Sequence, residues 1–411
     1  MNRQMVVHQF TVDLRGRDAV GNHTMQVDEI LRELGADTTL YASHADRRMR
    51  KLSRDFRYHA TDPAPDLIIY QASIGSVVAD YLLTRNESLV INYHNITPAE
   101  PHYKHFPHLA AALDLGRQQL ARLCRKACYA VADSEFNAGE LRRLGIRNVA
   151  VVPPLLDGSV LPSASESDAI GRRVRGGRLP DLSQNTRTRK TDVVGKRLRG
   201  SRLRVPPLIT RTRQTDTADK RICRGTRVTL LFVGRLAPNK RQEDLIATVA
   251  ILRRWLSGVE LVLVGSSVAD SYARALKDFA KRIGVDDIVR FEGSVSSKRL
   301  AAWYRTADVF VCLSAHEGFC VPLVEAMAWG VPVVALESTA VPETLGSAGV
   351  LVSEPSPTLV ATTIERVLND QALRRKSSVR GLARAQQFSP GTRQLLQQTL
   401  EEILADNVPV S

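Results

Sequence analysis

Residues 308–338 read DVFVCLSAHEGFCVPLVEAMAWGVPVVALES. The runs DVFVCLS and VPVVALES have the short, valine-rich form of buried strands. Between them, Pro322 suits the first position of a helix, where its missing N–H costs nothing, and the spacing predicts a helix running to Trp329. Strand, helix, strand in this order is the repeating unit of a parallel sheet covered by helices. Upstream the same alternation holds: VTLLFVGR, VELVLVGS and IVRFEGSV are separated by RQEDLIATVAILRRWL and DSYARALKDFAKRIG, and GVLVSE follows downstream. The amino-terminal part repeats the pattern through MVVHQFTV, HTMQVDEILRELG, DLIIYQ, SLVINYH, HLAAALDLGRQQLARLCRKA, YAVADS and NVAVVPP. The expected class is therefore α/β. Two doubly wound, Rossmann-like domains, 1–157 and 228–385, would face each other across a cleft, with a helix and tail over 386–411. Such sheets bind ligands at the carboxyl ends of their strands.

The 411 residues are 44% apolar and 5% aromatic, which excludes collagen-like, wholly disordered and disulfide-scaffold chains. No run approaches the roughly 20 apolar residues of a membrane-spanning helix, and the amino terminus lacks a signal core, so a cytoplasmic location is expected. Five cysteines without paired CxxC sets fit a reducing compartment. The net charge of +14 is local: residues 158–227 hold 18 Lys and Arg against 6 Asp and Glu, or +12. That segment has no Phe, Tyr, Trp or Met, so it is read as a basic, disordered linker or insertion. A run of that kind could also serve as an arm for an anionic membrane. Nucleic acid is not an expected partner, because no aromatic residues interleave with the arginines to stack bases.

Glu317 and Glu325 lie eight residues apart in the central stretch. Gly318 and Pro322 argue against one continuous helix, so Glu317 is placed on the loop and Glu325 in the first helical turn, both facing the helix mouth. Free N–H groups near Phe319, Cys320 and Val321 would lie there, where the helix dipole favours an anion such as a diphosphate. The second constellation is GRLAPNKR, Gly234 to Arg241, at the end of the first strand of the second domain. A glycine at a strand end admits a close backbone approach, and Arg235 and Lys240 could both reach one diphosphate. No GK[ST] phosphate loop is present.

In the first domain, RGRDAVGNHT, Arg15 to Thr24, links the first strand to the first helix; Gly16 and Gly21 make a turn suited to a phosphate or a sugar hydroxyl. His94, in YHNITPAE, follows a strand and is expected to point into the cleft. Ser134, in VADSEFNAGEL, reads best as a helix N-cap. Cys124 and Cys128 read as core or surface residues rather than metal ligands.

GRLAPNKR, EGFCVPLVE (317–325) and GVPVVA together resemble the retaining glycosyltransferase family 4, whose members have the GT-B fold. YHNITP and RGRDAVGNHT resemble its bacterial mannosyltransferase-like and rhamnosyltransferase-like members, which build lipopolysaccharide or exopolysaccharide. The resemblance covers about 1–157 and 228–400. It implies a hexosyl transfer from a nucleoside-diphosphate sugar, GDP-mannose as first choice, to a saccharide or polyprenyl-diphosphate-linked acceptor, at or near the inner face of the cell membrane. Arg235 and Lys240 would bind the donor diphosphate, Glu325 the ribose hydroxyls and Glu317 the transferred sugar; His94 would meet that sugar near its reacting face. Gly21, Gly234, Gly318, Phe319 and Cys320 would line the donor site. No metal or cofactor is implied, and no Asp-x-Asp signature lies at a strand end. The competing readings are another sugar-nucleotide enzyme, an epimerase or phosphorylase, and a polyanion-binding protein acting through the arginine-rich segment.

Overall fold

The computed structural model describes residues 4–16, 19–176, 227–256, 258–388 and 391–407. Their strands form two parallel sheets. The first contains β1 (Val6–Leu14), β2 (Asp37–Ala45), β3 (Arg54–Asp55), β4 (Leu67–Ala72), β5 (Ser88–Tyr93), β6 (Tyr129–Ala132) and β7 (Val149–Val151), in the spatial order β3-β2-β1-β4-β5-β6-β7. The second contains β8 (Val228–Val233), β9 (Val259–Val264), β10 (Val289–Gly293), β11 (Val309–Cys312), β12 (Val333–Leu336) and β13 (Val350–Val352), in the order β10-β9-β8-β11-β12-β13. Every residue of LIIYQA in β4 and of VFVC in β11 is buried. Strands covered on both faces lose the polar alternation of a half-exposed sheet, which is why they stand out in the sequence as short apolar runs.

Helices α1 (Ala19–Glu33) on one face and α2 (Val77–Leu83), α3 (Pro107–Cys124) and α4 (Glu135–Arg143) on the other cover the first sheet. The second sheet has α6 (Gln242–Leu252), α7 (Asp270–Arg282) and α11 (Pro357–Asn369) on one face, and α8 (Ser297–Thr306), α9 (Val321–Ala328), α10 (Val341–Leu345) and α12 (Gln371–Gln386) on the other. Both domains are doubly wound, as their patterning predicts.

Composition misreads one part of the chain. Within the stretch read as disordered linker, Ala164–Arg175 is a helix, α5, opened by a capping box between Ser163 and Glu166. Ile170 and Val174, four residues apart, bury one stripe of it against the second domain, and Trp329 Nε1 donates to the Val160 carbonyl at 2.9 Å. Two apolar residues at helical spacing dock a basic helix that leaves Arg172 and Arg175 exposed. The rest of the predicted linker, 177–226, lies outside the described residues. The carboxy-terminal helix, α13 (Gly391–Asp406), returns to the first domain, where Leu396, Leu400 and Ile403 pack with Val27, Ile30 and Leu31. Among the described residues the chain therefore crosses between domains twice. At the first crossing, Leu155 packs on the first core and Leu156 on the second.

Candidate functional site

β8 ends at Val233 and hands the chain through Gly234 to a 3-10 turn, Pro238–Lys240. Gly234 has φ 155°, and a Cβ on its neighbour Gly265 (φ 141°) would stand 2.0 Å from the Gly234 carbonyl oxygen. The glycine pair thus lets two strand ends meet backbone to backbone. The turn is tied to the loop after β11 by Ala315 N–H donating to Asn239 O at 2.8 Å. That junction delivers Lys240 to Glu317: Nζ donates to Oε1 at 2.6 Å, with the two side chains 17% and 12% exposed. Burial alone would lower the Lys240 pKa, but the Glu317 charge and hydrogen bond outweigh it and hold the ammonium above its ordinary value. Glu317 is fixed at its backbone by Thr339, whose Oγ1 accepts from Glu317 N at 2.8 Å and donates to Glu317 O at 2.9 Å.

Helix α9 starts at Val321, so Glu325 sits in its second turn rather than its first. With Leu323, Val324, Ala326 and Met327 all buried around it, α9 offers no solvent face at that depth, and the carboxylate turns to α8 instead. Tyr304 Oη donates to Glu325 Oε2 at 2.6 Å. Burial pushes the Glu325 carboxyl up to about 7, against the smaller opposing effect of the tyrosine. Phe319 packs edge-on to Phe388 at 5.2 Å, and Cys320 caps the helix in a left-handed conformation, φ 73°.

On the first-domain side, His94 follows β5. Its ring is not turned freely into the cleft: the side chain is 4% exposed, Nδ1 lies 3.1 Å from Asp133 Oδ2, and Nε2 lies 2.8 Å from Gln71 Oε1. Gln71 Nε2 donates on to Gln9 Oε1, and Gln9 Nε2 to Asp28 Oδ1. His94 thus heads a buried polar row. His23, 5.1 Å away ring to ring, has its pKa lowered to about 3 by burial, with a smaller contribution from the neighbouring His94 ring. Gly21 lies inside α1, where a Cβ would stand 2.1 Å from the Arg15 carbonyl oxygen; it serves the packing of loop on helix. Ser134 is the N-cap of α4, accepting from Asn137 N at 3.2 Å, as expected.

The two domains meet through contacts that sequence reasoning did not anticipate. His316 Nε2 and Asn95 Oδ1 are 2.6 Å apart, and Asn95 Nδ2 donates to Asn137 Oδ1 at 2.7 Å. Ser134 Oγ donates to Gly318 O at 2.6 Å. A Cβ on Gly318 would stand 2.6 Å from the Cβ of Asn95, so this glycine admits the opposite domain. Glu343 accepts from the Glu135 and Phe136 N–H groups at 2.8 and 3.2 Å, at the start of α4. Arg235 is exposed, and its charge adds to burial in lowering the His102 pKa, placing that guanidinium beside the first domain. Lys240 and Glu317 therefore meet beyond the carboxyl ends of β8 and β11, with Arg235 exposed on the segment that follows β8.

Residues 214–382 match the family described as Glycosyl transferases group 1. A GDP-mannose-dependent alpha-(1-6)-phosphatidylinositol monomannoside mannosyltransferase of Mycobacterium tuberculosis is 35% identical over 156 residues, 36% of this chain and 40% of that protein. O-antigen chain mannosyltransferase B of Escherichia coli is 31% identical over 159 residues, 39% of this chain and 42% of that protein. The chain thus spans about two fifths of the length of these relatives. HepE of Anabaena, solved in complex with UDP-glucose, superposes with a TM-score of 0.67 at 16% identity, covering 97% of this chain and 100% of that one, which shows the shared GT-B fold.

Proposed function

We propose, from the match of residues 214–382 to the group 1 glycosyl transferases and from the GT-B fold, that the protein transfers a hexosyl unit from a nucleoside-diphosphate sugar to a saccharide or lipid-linked saccharide acceptor. The observation that carries this reading is the Lys240–Glu317 pair at the convergence of the two sheets. When the sugar–phosphate bond breaks, negative charge gathers on the departing diphosphate. Lys240 and Arg235 supply positive charge for it without a metal, and the approach of the first domain through Asn95 and Ser134 excludes water, which strengthens the attraction. Glu317, aligned by Lys240 and Thr339, is the group set to orient the sugar. Glu325 is the carboxylate for the ribose hydroxyls; its raised pKa means that it accepts hydrogen bonds best above pH 7.

The donor we favour is GDP-mannose, since the mycobacterial relative is named as dependent on it and the Escherichia coli relative as a mannosyltransferase. The acceptor is a hydroxyl of a growing polysaccharide or of a lipid-linked glycan. No helix among the described residues is long and apolar enough to cross a membrane. Incubating the protein with a panel of radiolabelled sugar nucleotides and a glycan acceptor, then separating glycoside from sugar phosphate and epimerised nucleotide, tests this. A labelled glycoside formed from GDP-mannose supports the reading; sugar phosphate or epimerised donor as the sole product would refute it.

A further inference from the structure

Three neighbouring strands of the first sheet carry a buried amide among apolar residues: Gln9 in β1, Gln71 in β4 and Asn92 in β5 are 0%, 0% and 2% exposed. A buried amide costs free energy unless it is bonded, and Gln9 and Gln71 are bonded in one line. Gln9 Nε2 donates to Asp28 Oδ1 at 3.4 Å, Gln71 Nε2 donates to Gln9 Oε1 at 3.2 Å, and Gln71 Oε1 lies 2.8 Å from His94 Nε2. The line has a direction. Asp28, a carboxylate that can only accept, fixes the Gln9 amide; Gln9 then presents its oxygen to Gln71, and Gln71 presents its own oxygen to the histidine. His94 Nε2 must therefore carry a proton. On the other side of the ring, Nδ1 lies 3.2 and 3.1 Å from the two carboxylate oxygens of Asp133, and the His94 and Asp133 side chains are 4% and 8% exposed. A nitrogen lone pair facing a buried carboxylate would be repelled, so Nδ1 carries a proton as well.

We infer that Asp28 and Asp133, acting from opposite ends of this row, hold His94 as an imidazolium with both nitrogens donating inward, and that Asp28, Gln9 and Gln71 are its positioning residues. The charges balance: Asp133 offsets the ring, and Arg32 Nε, which donates to Asp28 Oδ2 at 3.0 Å, offsets the far end. The neighbouring ring does not compete for the proton. His23 Nε2 lies 2.9 Å from Asn92 Nδ2, an amide nitrogen that only donates, and burial keeps His23 neutral by lowering its pKa to about 3. The bearing on the reaction rests on the transfer reading. A ring with no free lone pair cannot take the proton of an acceptor hydroxyl, so His94 stands after β5 as a fixed, paired cation and not as a base.

The test is nitrogen-15 NMR of the full-length protein with labelled histidine, read at pH 7, where an unperturbed ring is about three-quarters neutral. An imidazolium shows its two nitrogens at nearly equal shift, whereas each neutral tautomer splits them widely; His94→Gln identifies the signal by its loss. Wild-type His94 should show the imidazolium pattern as its main form. Asp28→Asn lets the row reverse, so that Gln71 donates to Nε2, and the ring should become neutral with its proton on Nδ1. Asp133→Asn leaves the row intact and should give the opposite tautomer, with the proton on Nε2. Circular dichroism checks that each variant is folded. A neutral ring in the wild type, an unchanged imidazolium pattern in folded Asp28→Asn, or the same tautomer in both variants would overturn the inference. If neither variant folds, the wild-type spectrum alone decides. The spectra need neither donor nor acceptor, so a neutral ring would sink this inference and leave transfer standing, while a failure of transfer would leave the spectra as they are.

Discussion

Lys240 Nζ rests 2.6 Å from Glu317 Oε1, joining side chains 77 positions apart in the chain, and the contact is held from both sides: the Pro238–Lys240 turn is bonded to Ala315, and Glu317 is bonded to Thr339. In the proposed reading the pair is prearranged for the charged diphosphate of the donor. Lys240→Ala and Glu317→Ala should each lower kcat/KM by about 10²–10³-fold, the cost of removing one oriented electrostatic partner. The double variant should be far less impaired than the product of the two, because each single change already breaks the unit. Initial-rate kinetics on the three variants checks this. Lys240→Arg should not restore the rate, since a planar guanidinium does not fit the point-charge geometry.

Glu325 titrates near 4.5 when unfolded and near 7 when folded. Between these values the folded state binds more protons, so the carboxyl costs nothing below pH 4.5, and stability is lost as pH rises through 7. The full cost is on the order of 3 kcal/mol. Glu325→Gln should therefore raise the Tm more at pH 8 than at pH 5 while weakening donor binding, and scanning calorimetry at both pH values reads the difference.

His23 and His8 behave in the opposite sense. Burial lowers their pKa values to about 3 and about 4, so both are neutral when folded, whereas the unfolded chain protonates them below about 6.5. Stability is lost as pH falls from 6.5 towards the folded values. Each imidazole then costs up to about 1.4 kcal/mol per pH unit. Urea unfolding at pH 7 and pH 5 should show the loss, and His23→Gln should reduce it.

Glu343 reaches across the cleft to the first two N–H groups of α4. The carboxylate is exposed, so its contribution to closure is about 1 kcal/mol or less. Glu343→Ala should raise KM for the donor by no more than about fivefold with little change in kcat. Steady-state kinetics together with small-angle scattering, which would register a more open pair of domains, checks this.

Leu400 in α13 is 3% exposed and packs into the first domain, far along the chain from the strands it covers. Leu400→Ala should destabilise that domain by about 2–5 kcal/mol. Denaturant unfolding followed at both domains should show the amino-terminal transition moving first.

The sheets were legible because parallel strands buried on both faces are largely apolar, as β11 is throughout and β4 is apart from Gln71. Lys240 and Glu317 were legible because each follows a strand end within a short, distinctive motif. His94 was visible as a residue, but its partners were not: Gln71 and Asp133 are brought to it by the pairing of β4, β5 and β6, from 23 and 39 positions away. Helix α5 was hidden because arginines dominate its composition, while Ile170 and Val174 alone decide where it docks. The depth of Glu325 was misjudged since an acidic residue near a helix start normally complements the dipole at the surface; Tyr304, which satisfies it internally, comes from another helix. The contacts of Asn95, Gly318 and Glu343 between domains belong to neither local pattern.

The return of α13 to the first domain gives the polypeptide a second seam beside the one at Leu155–Leu156. Two bodies stitched at two points keep one easy rotation, about the line through both stitches, and resist twisting or sliding. The jaws can then part like the covers of a book while the spine stays shut. Reopening after each turnover would bring Asn95 and Ser134 back onto the same partners without a search.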